Sequence, residues 1–328
     1  MKSERPAISI VIPLYQKEST IRRALESVQR QSIAELEILV VDDGSTDGGP
    51  IVVQRLASFD DRIRLLTRPN GGPGAAKNSG LHEATGPLIT FLDADDEWEP
   101  HFLESAKRVL DAHPECAVFA SAFRIGPTGV DRWDELRRHG VVEGVWCLTP
   151  DIGDDELSLC MGVVHSCSSL FRTEAVRRFG GFYGRNGCRF GEDVYLWLQL
   201  LMHCAFFRSF EISAWYHTDA SDLGMASGRR DLPLEPVFTD PGPIRDGCPV
   251  DLRPTLERWL NLHALRAVQM YAEFSDRKRV EVLLNAFPRV RRHWRSYASA
   301  WLKLRAPGLH RKLRGVTRGS WASWALPR

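Results

Sequence analysis

Ile8-Ser-Ile-Val-Ile-Pro13 is a short apolar run rich in β-branched residues, and Glu37-Ile-Leu-Val-Val41 repeats the pattern further along the chain. Runs that are apolar at nearly every position suit strands of a parallel sheet buried on both faces. Between them Ile21, Ala24, Leu25 and Val28 recur at the i, i+3, i+4, i+7 spacing of an amphipathic helix, with Ser19 or Thr20 placed to cap it. The alternation continues outward: a strand at Ile63–Thr67, a helix over about Pro73–Ala84, a strand at Leu88–Leu92, a helix over about Pro100–Ala112 and a strand at Ala117–Phe123. Repeated strand–helix–strand units predict an open α/β sheet whose ligands bind beyond the carboxyl ends of the strands. Asp42-Asp43 follows one strand and Asp93-Ala-Asp-Asp96 another, so both acidic clusters fall on that edge.

Beyond this the pattern blurs. Gly, Pro, Trp and charge mix from about residue 125 to 165, which reads as an excursion over the active face and not as a separate domain. Ser168–Arg172 and Thr173–Phe179 restore a strand and a short helix. Val194, Trp197, Leu198, Leu201 and Met202 then mark a helix that opens beside Gly191-Glu192-Asp193. Residues 219–250, rich in Pro, Gly and Asp, read as a loop or hinge between a catalytic domain at 1–218 and a basic helical region at 251–328.

The 328 residues carry 43 Lys+Arg and 42 Asp+Glu, a near balance that hides an asymmetry. From residue 251 onward there are 17 basic and 5 acidic side chains and five of the ten Trp, whereas the first 250 residues hold 26 basic and 37 acidic. At 43% hydrophobic and 26% charged, the composition excludes a disordered, collagen-like or disulfide-stapled miniature chain. No apolar run approaches the ~18–20 residues that span a bilayer. The start, MKSERPAISIVIP, lacks the apolar core and cleavage site of a signal peptide. Seven Cys without CxxC spacing read as reduced thiols, so a cytoplasmic protein is expected.

Asp93-Ala-Asp-Asp96 packs three carboxylates into four residues. Such crowding is unfavourable unless a cation or hydrogen-bond donors compensate it. Hard oxygen ligands suit Mg²⁺ or Mn²⁺, which in turn bridge diphosphate oxygens; a solvated acidic loop is the plain alternative. Asn70-Gly-Gly-Pro-Gly-Ala-Ala-Lys-Asn-Ser-Gly80 is a Gly-rich turn entering a helix. Its backbone N–H groups and Lys77 suit an anion, or it is only a turn; it lacks the GxxxxGK[ST] pattern of a P-loop. Glu192-Asp193 opens an apolar helix whose dipole favours an ionised carboxylate, as a proton acceptor or as a cap. His217, in Trp215-Tyr-His-Thr-Asp219, is either a metal ligand or a structural histidine.

Ser9-Ile-Val-Ile-Pro-Leu-Tyr15, Val41-Asp-Asp-Gly-Ser-Thr-Asp47, the Asn70–Gly80 turn, Phe91-Leu-Asp-Ala-Asp-Asp96 and Gly191-Glu-Asp-Val-Tyr-Leu-Trp197 stand in a telling order. Over roughly residues 7–218 the chain resembles the non-processive bacterial family 2 glycosyltransferases. The resemblance implies the GT-A fold, a Rossmann-like, open, mostly parallel sheet flanked by helices, here with a basic helical C-terminal segment added. It implies that Pro13 and Tyr15 help hold the nucleotide and that Asp42 and Asp43 recognise its base and ribose. Lys77 stands where the family usually has Arg, in reach of base or phosphate. Asp93 is implied to face the donor ribose or sugar, and Asp95 to bind Mn²⁺ or Mg²⁺ with His217 completing the site. Asp193 matches the catalytic base, supported by Glu192 and Asp96. The Gln-x-x-Arg-Trp motif of processive synthases is absent.

The expected reaction is therefore inverting sugar transfer from a nucleotide-diphosphate sugar, a UDP-sugar ahead of a GDP-sugar, to a hydroxyl of a glycan or lipid-linked saccharide. A sugar-phosphate nucleotidyltransferase would open with a Gly-rich loop where this chain has Pro13-Leu-Tyr-Gln-Lys17, and a non-catalytic nucleotide- or glycan-binding protein would not need Asp93, Asp95 and Asp193 together. In the basic region Val290, Trp294, Tyr297, Ala298 and Trp301 follow helical spacing, with Arg291, Arg292 and Arg295 interleaved. Lys303, Arg305, Arg311, Lys312, Arg314 and Arg318 continue the charge toward Trp321 and Trp324. That pattern suits peripheral contact with the inner face of a membrane, packing on the acidic body, or a dimer interface; nucleic acid is not an expected ligand.

Overall fold

The first apolar run is β1 (Ile8–Leu14), and its alternation explains why it is apolar throughout: Ile8, Ile10 and Ile12 face one layer of helices and Val11 the other, all fully buried. The computed structural model describes residues 5–131, 133–218 and 232–305. After β1 come α1 (Ile21–Gln29), β2 (Leu36–Asp42), α2 (Gly49–Ala57), β3 (Ile63–Thr67), α3 (Pro73–Glu83) and β4 (Leu88–Phe91). β1 pairs in parallel with β2 and β4, and β2 with β3. The carboxyl ends of β1, β2 and β4 therefore point the same way and deliver Tyr15, Asp42-Asp43 and Asp93–Asp96 to one edge. Thr20 occupies the N-cap of α1, but its side chain makes no capping bond.

The second half adds β5 (Glu97–Trp98), α4 (Phe102–Ala112), β6 (Cys116–Ile125), β7 (Val130–Asp131), α5 (Asp134–Arg138), β8 (Gly144–Trp146), α6 (Asp154–Leu159), β9 (Ser169–Arg172), α7 (Thr173–Arg178), α8 (Glu192–His203) and β10 (Ala205–Tyr216). The strand order is β3-β2-β1-β4-β9-β6-β10-β5, with β7 on β6 and β8 on β10. β9 runs antiparallel between β4 and β6, while β6 and β10 form a long parallel ladder. Residues 125–165, expected as an excursion, are built into the sheet through β7 and β8. α2 and β10 were not expected from the sequence.

Helices α1 and α4 cover the face of Ile8, Ile10, Ile12, Ile38 and Val40. The opposite face, with Val11, Leu39, Val41, Ile89 and Phe91, is covered by α3, α8 and the C-terminal helices. α3 lies close on β1 because Gly80 has no side chain: a Cβ there would stand 2.3 Å from Val11 Cγ1. Within the stretch expected as a loop or hinge, residues 219–231 lie outside the described residues. The rest contains two short helices, α9 (Pro236–Thr239) and α10 (Gly242–Gly247).

The basic region forms α11 (Arg253–Glu273), α12 (Arg277–Ala286) and α13 (Trp294–Arg305). Trp259, Leu260, Val268 and Tyr271 of α11 share one core with Phe171 and Trp197, so this region packs on the α/β body. Val290 belongs to a 3₁₀ turn, Pro288–Arg292, ahead of α13 and is buried with Ala300, while Tyr297 and Trp301 are half-buried. Arg311, Lys312, Arg314, Arg318, Trp321 and Trp324 lie outside the described residues. Among the described residues no helix is long and apolar enough to cross a membrane. All seven cysteines are free.

Candidate active site

The chain leaves β4 into a tight acidic turn, closed by the Asp96 N–H donating to the Asp93 carbonyl at 3.0 Å. Asp95 is only 8% exposed; Lys17 Nζ stands 2.9 Å from its Oδ2, and its main-chain carbonyl accepts from Arg23. Asp96 is fully buried. Its Oδ1 accepts from the His217 N–H at 3.0 Å, and the buried Cys167 thiol lies against the carboxyl. Burial raises the pKa of both carboxyls, and like charge adds to it: Asp93 acts on Asp95, and Asp95 and Asp93 act on Asp96. Lys17 and Arg23 were not flagged by the sequence; a single Lys in the loop after β1 and a single Arg on α1 carry no periodic signal.

Lys77 joins this turn to the start of α8. It is 3% exposed, with Nζ 3.3 Å from Asp93 Oδ1, 3.6 Å from Glu192 Oε1 and 5.1 Å from the centre of the Phe182 ring. Burial works against its charge, but Asp93, Glu192 and Asp193 outweigh that and hold its pKa above the ordinary lysine value. Glu192 is buried too. Burial, reinforced by Asp193 against the pull of Lys77, lifts its carboxyl to about 7. Asp193 is half-buried on the first turn of α8, its Oδ1 accepting from the Val194 N–H at 2.8 Å. Gly191, with φ +73°, precedes the helix because Glu235 packs against it: a Cβ there would stand 2.6 Å from Glu235 Cγ. Glu235 Oε2 is itself 2.8 Å from His263 Nε2 of α11.

At the end of β1 Tyr15 is exposed and Pro13 half-buried. Asp42, the last residue of β2, and Asp43 after it are turned largely toward their own loops. Asp42 Oδ1 accepts from the Ser45 N–H at 2.9 Å. Asp43 accepts from the N–H groups of Gly71 and Gly72 and pairs with Arg68, so it holds the Gly-rich turn in front of α3. Gln16, at φ +54°, ties the β1 end to Thr46 and Asp47. The backbone thus adopts a sparsely populated conformation at the ligand edge.

His217, expected to complete a metal site, directs Nε2 to Glu97 Oε1 at 3.0 Å and stacks on Trp215; its main chain, not its ring, is what the acidic turn engages. Among the described residues no three His, Cys, Asp or Glu side chains converge into a cage for a cation. The donors present nevertheless fit Mg²⁺ or Mn²⁺. Such an ion is commonly held by one or two carboxylates together with substrate phosphates, and Asp93 and Asp95 are crowded hard-oxygen donors within one turn.

The chain is similar to known proteins in both sequence and fold. Over 126 residues the chain is 34% identical to the putative glycosyltransferase EpsH of Bacillus subtilis, covering 38% of this chain and 37% of that protein. Over 94 residues it is 42% identical to the GalNAc(5)-diNAcBac-PP-undecaprenol beta-1,3-glucosyltransferase of Campylobacter jejuni, covering 28% and 30% respectively. The matched stretch thus spans about a third of each curated relative. In three dimensions it superposes on S. aureus TarS 1-349 in complex with UDP, with a TM-score of 0.53 at 18% identity over 87% of this chain and 91% of that one. It also superposes on a Pyrobaculum calidifontis mannosyltransferase in complex with GDP-Man and Mn²⁺, with a TM-score of 0.55 at 20% identity over 96% and 88%. The fold is the GT-A type expected from the motifs. Glycosyl transferase family 2 is matched by its family model over residues 9–180, more than half of the chain and the stretch that carries β1, both acidic clusters and the Gly-rich turn, and it is the family to which this chain belongs.

Proposed function

We propose that the chain transfers a glycosyl group from a nucleoside diphosphate sugar to a hydroxyl acceptor with inversion at the anomeric carbon. The observation that carries this reading is Lys77, which draws the donor-side Asp93 and the Glu192-Asp193 pair to one point although about a hundred residues separate them. Donor and acceptor would meet there. As the acceptor oxygen bonds to the anomeric carbon from the side opposite the diphosphate, Asp193 takes its proton and the bond to the diphosphate breaks, its electron pair leaving with the nucleoside diphosphate. Lys77 keeps Asp93 and Glu192 fixed while charge shifts around them. Asp95, with Asp93 beside it, would hold Mn²⁺ or Mg²⁺, whose charge would offset that of the departing diphosphate. Tyr15, Pro13, Asp42 and Asp43 line the nucleotide side.

A UDP-sugar is the first donor to test and a GDP-sugar the second, since proteins of this fold are found with UDP, with UDP-GlcNAc and with GDP-Man. The acceptor class proposed is a glycan or lipid-linked saccharide, in line with the undecaprenol-linked substrate in the name of the Campylobacter relative. The test is nucleotide release from UDP-, GDP- and dTDP-sugars, with and without Mn²⁺, with the product anomer read by NMR. Release from one donor, stimulated by the ion and inverted in the product, is expected. No release from any donor, or a retained anomer, would defeat the proposal.

A further inference from the structure

Residues 282–328 hold eleven Lys+Arg and not one Asp or Glu. Part of that charge is visible where the 3₁₀ turn Pro288–Arg292 meets α13. Val290 points inward and is fully buried, anchoring the turn. Around it Arg289, Arg291, Arg292, His293, Trp294 and Arg295 are all exposed. Trp294 is 66% exposed, with the Arg295 guanidinium 5.4 Å from its ring centre. Trp301 and Tyr297 on the same helix are half-buried, so Trp294 is the aromatic of α13 that packing does not use.

Neighbouring charges are consumed by the fold: Lys303 pairs with Glu273, Arg277 with Glu281 and Arg279 with Asp276. Arg289, Arg291, Arg292 and Arg295 make no ion pair among the described residues. Four unpaired guanidinium groups around a solvated indole have no structural purpose that the fold reveals. A symmetric dimer through this face would set Arg against Arg. A polyanion would need a track of charge, whereas among the described residues this patch is confined to the eight residues Pro288–Arg295. A few phosphate headgroups match its size, and an indole with an apolar body and one N–H donor suits the headgroup layer.

We infer that the Pro288–Arg295 corner docks on an anionic lipid bilayer, with Trp294 entering the headgroup region and the four Arg meeting lipid phosphates. The inference stands on exposure and charge and is independent of the transfer reaction. The test is co-sedimentation of the full chain with phosphatidylcholine vesicles, with or without phosphatidylglycerol, at low and high salt. Wild type binds the phosphatidylglycerol vesicles at low salt only. Arg291→Glu/Arg292→Glu/Arg295→Glu weakens that binding at least roughly 100-fold, the scale for losing three basic residues at an anionic surface before the added repulsion; Trp294→Ala weakens it several-fold. Both variants keep the wild-type thermal midpoint and its response to nucleotide, because every altered side chain is exposed. The inference is overturned by wild type that ignores anionic vesicles at low salt, or by a triple variant that binds like wild type. It is equally overturned if a single-stranded oligonucleotide or a second copy of the chain occupies the patch in preference to vesicles.

Discussion

Glu192 is a buried carboxyl whose proton is part of the fold. With its pKa lifted from an ordinary 4.5 to about 7, chiefly by burial, the folded state binds that proton more tightly than the unfolded chain does. The contribution of Glu192 to stability therefore falls as pH rises from about 4.5 to about 7 and levels off above. Glu192→Gln should make this slope shallower, as read from urea midpoints across that range; an unchanged slope would place the titration elsewhere. Asp193 is more open and does different work. Asp193→Asn should leave folding and nucleotide binding intact and lower transfer by roughly 10²–10⁴-fold, the usual scale for a general base. Asp95→Ala addresses the ion: the Mn²⁺-dependent part of UDP or GDP stabilisation in a thermal-shift assay should vanish, while any ion-independent part stays. Metal-linked stabilisation that survives would take Asp95 out of the ion's shell.

At the scale of elements, the approach of α3 to β1 sets where Lys77 sits, and Gly80 permits it. Gly80→Ala should destabilise by ~1–3 kcal/mol through overpacking against Val11, despite the better helix propensity of Ala. Val11→Ala in the same chain should recover part of the loss, and denaturant unfolding of the three variants measures both. β1, β2 and β4 were readable because they are buried on both faces; β3, an edge strand in which only Ile63 is fully buried, agrees with its expected bounds through its short apolar run Ile63, Leu65 and Leu66. β10 escaped notice for a physical reason. It carries Arg208, Ser209 and Ser213 at buried positions, and its register shifts break the period of two. Those polar groups are buried because distant segments supply partners, Glu156 to Arg208 and Glu143 to Ser209, which no local pattern announces. The same holds at the site. The acidic turn could be assigned to the ligand edge from its strand, but its cations, Lys17, Arg23 and Lys77, arrive from three other segments. The orientation of His217 toward Glu97 depends on the β10–β5 pairing, which was equally invisible.

For the molecule as a whole, the C-terminal helices are a layer of the core and not an appendage. Trp259 and Tyr271 of α11 lie in the same apolar cluster as Phe171 of β9 and Trp197 of α8. Calorimetry should accordingly give one unfolding transition, with the helices and the sheet melting together; two resolved transitions would mean that the shared layer is not cooperative. The middle of the sheet carries a consequence for biosynthesis. β9 is the strand that joins β4 to β6, and about eighty residues separate it from β4 in the chain. At roughly 5–20 residues per second on a ribosome, that interval lasts about 4–16 seconds. For those seconds the nascent β3-β2-β1-β4 half-sheet presents the apolar edge of Leu88–Phe91 with no native neighbour. A ribosome that stalls between β4 and β9 releases a chain whose nearest available strand belongs to another nascent protein.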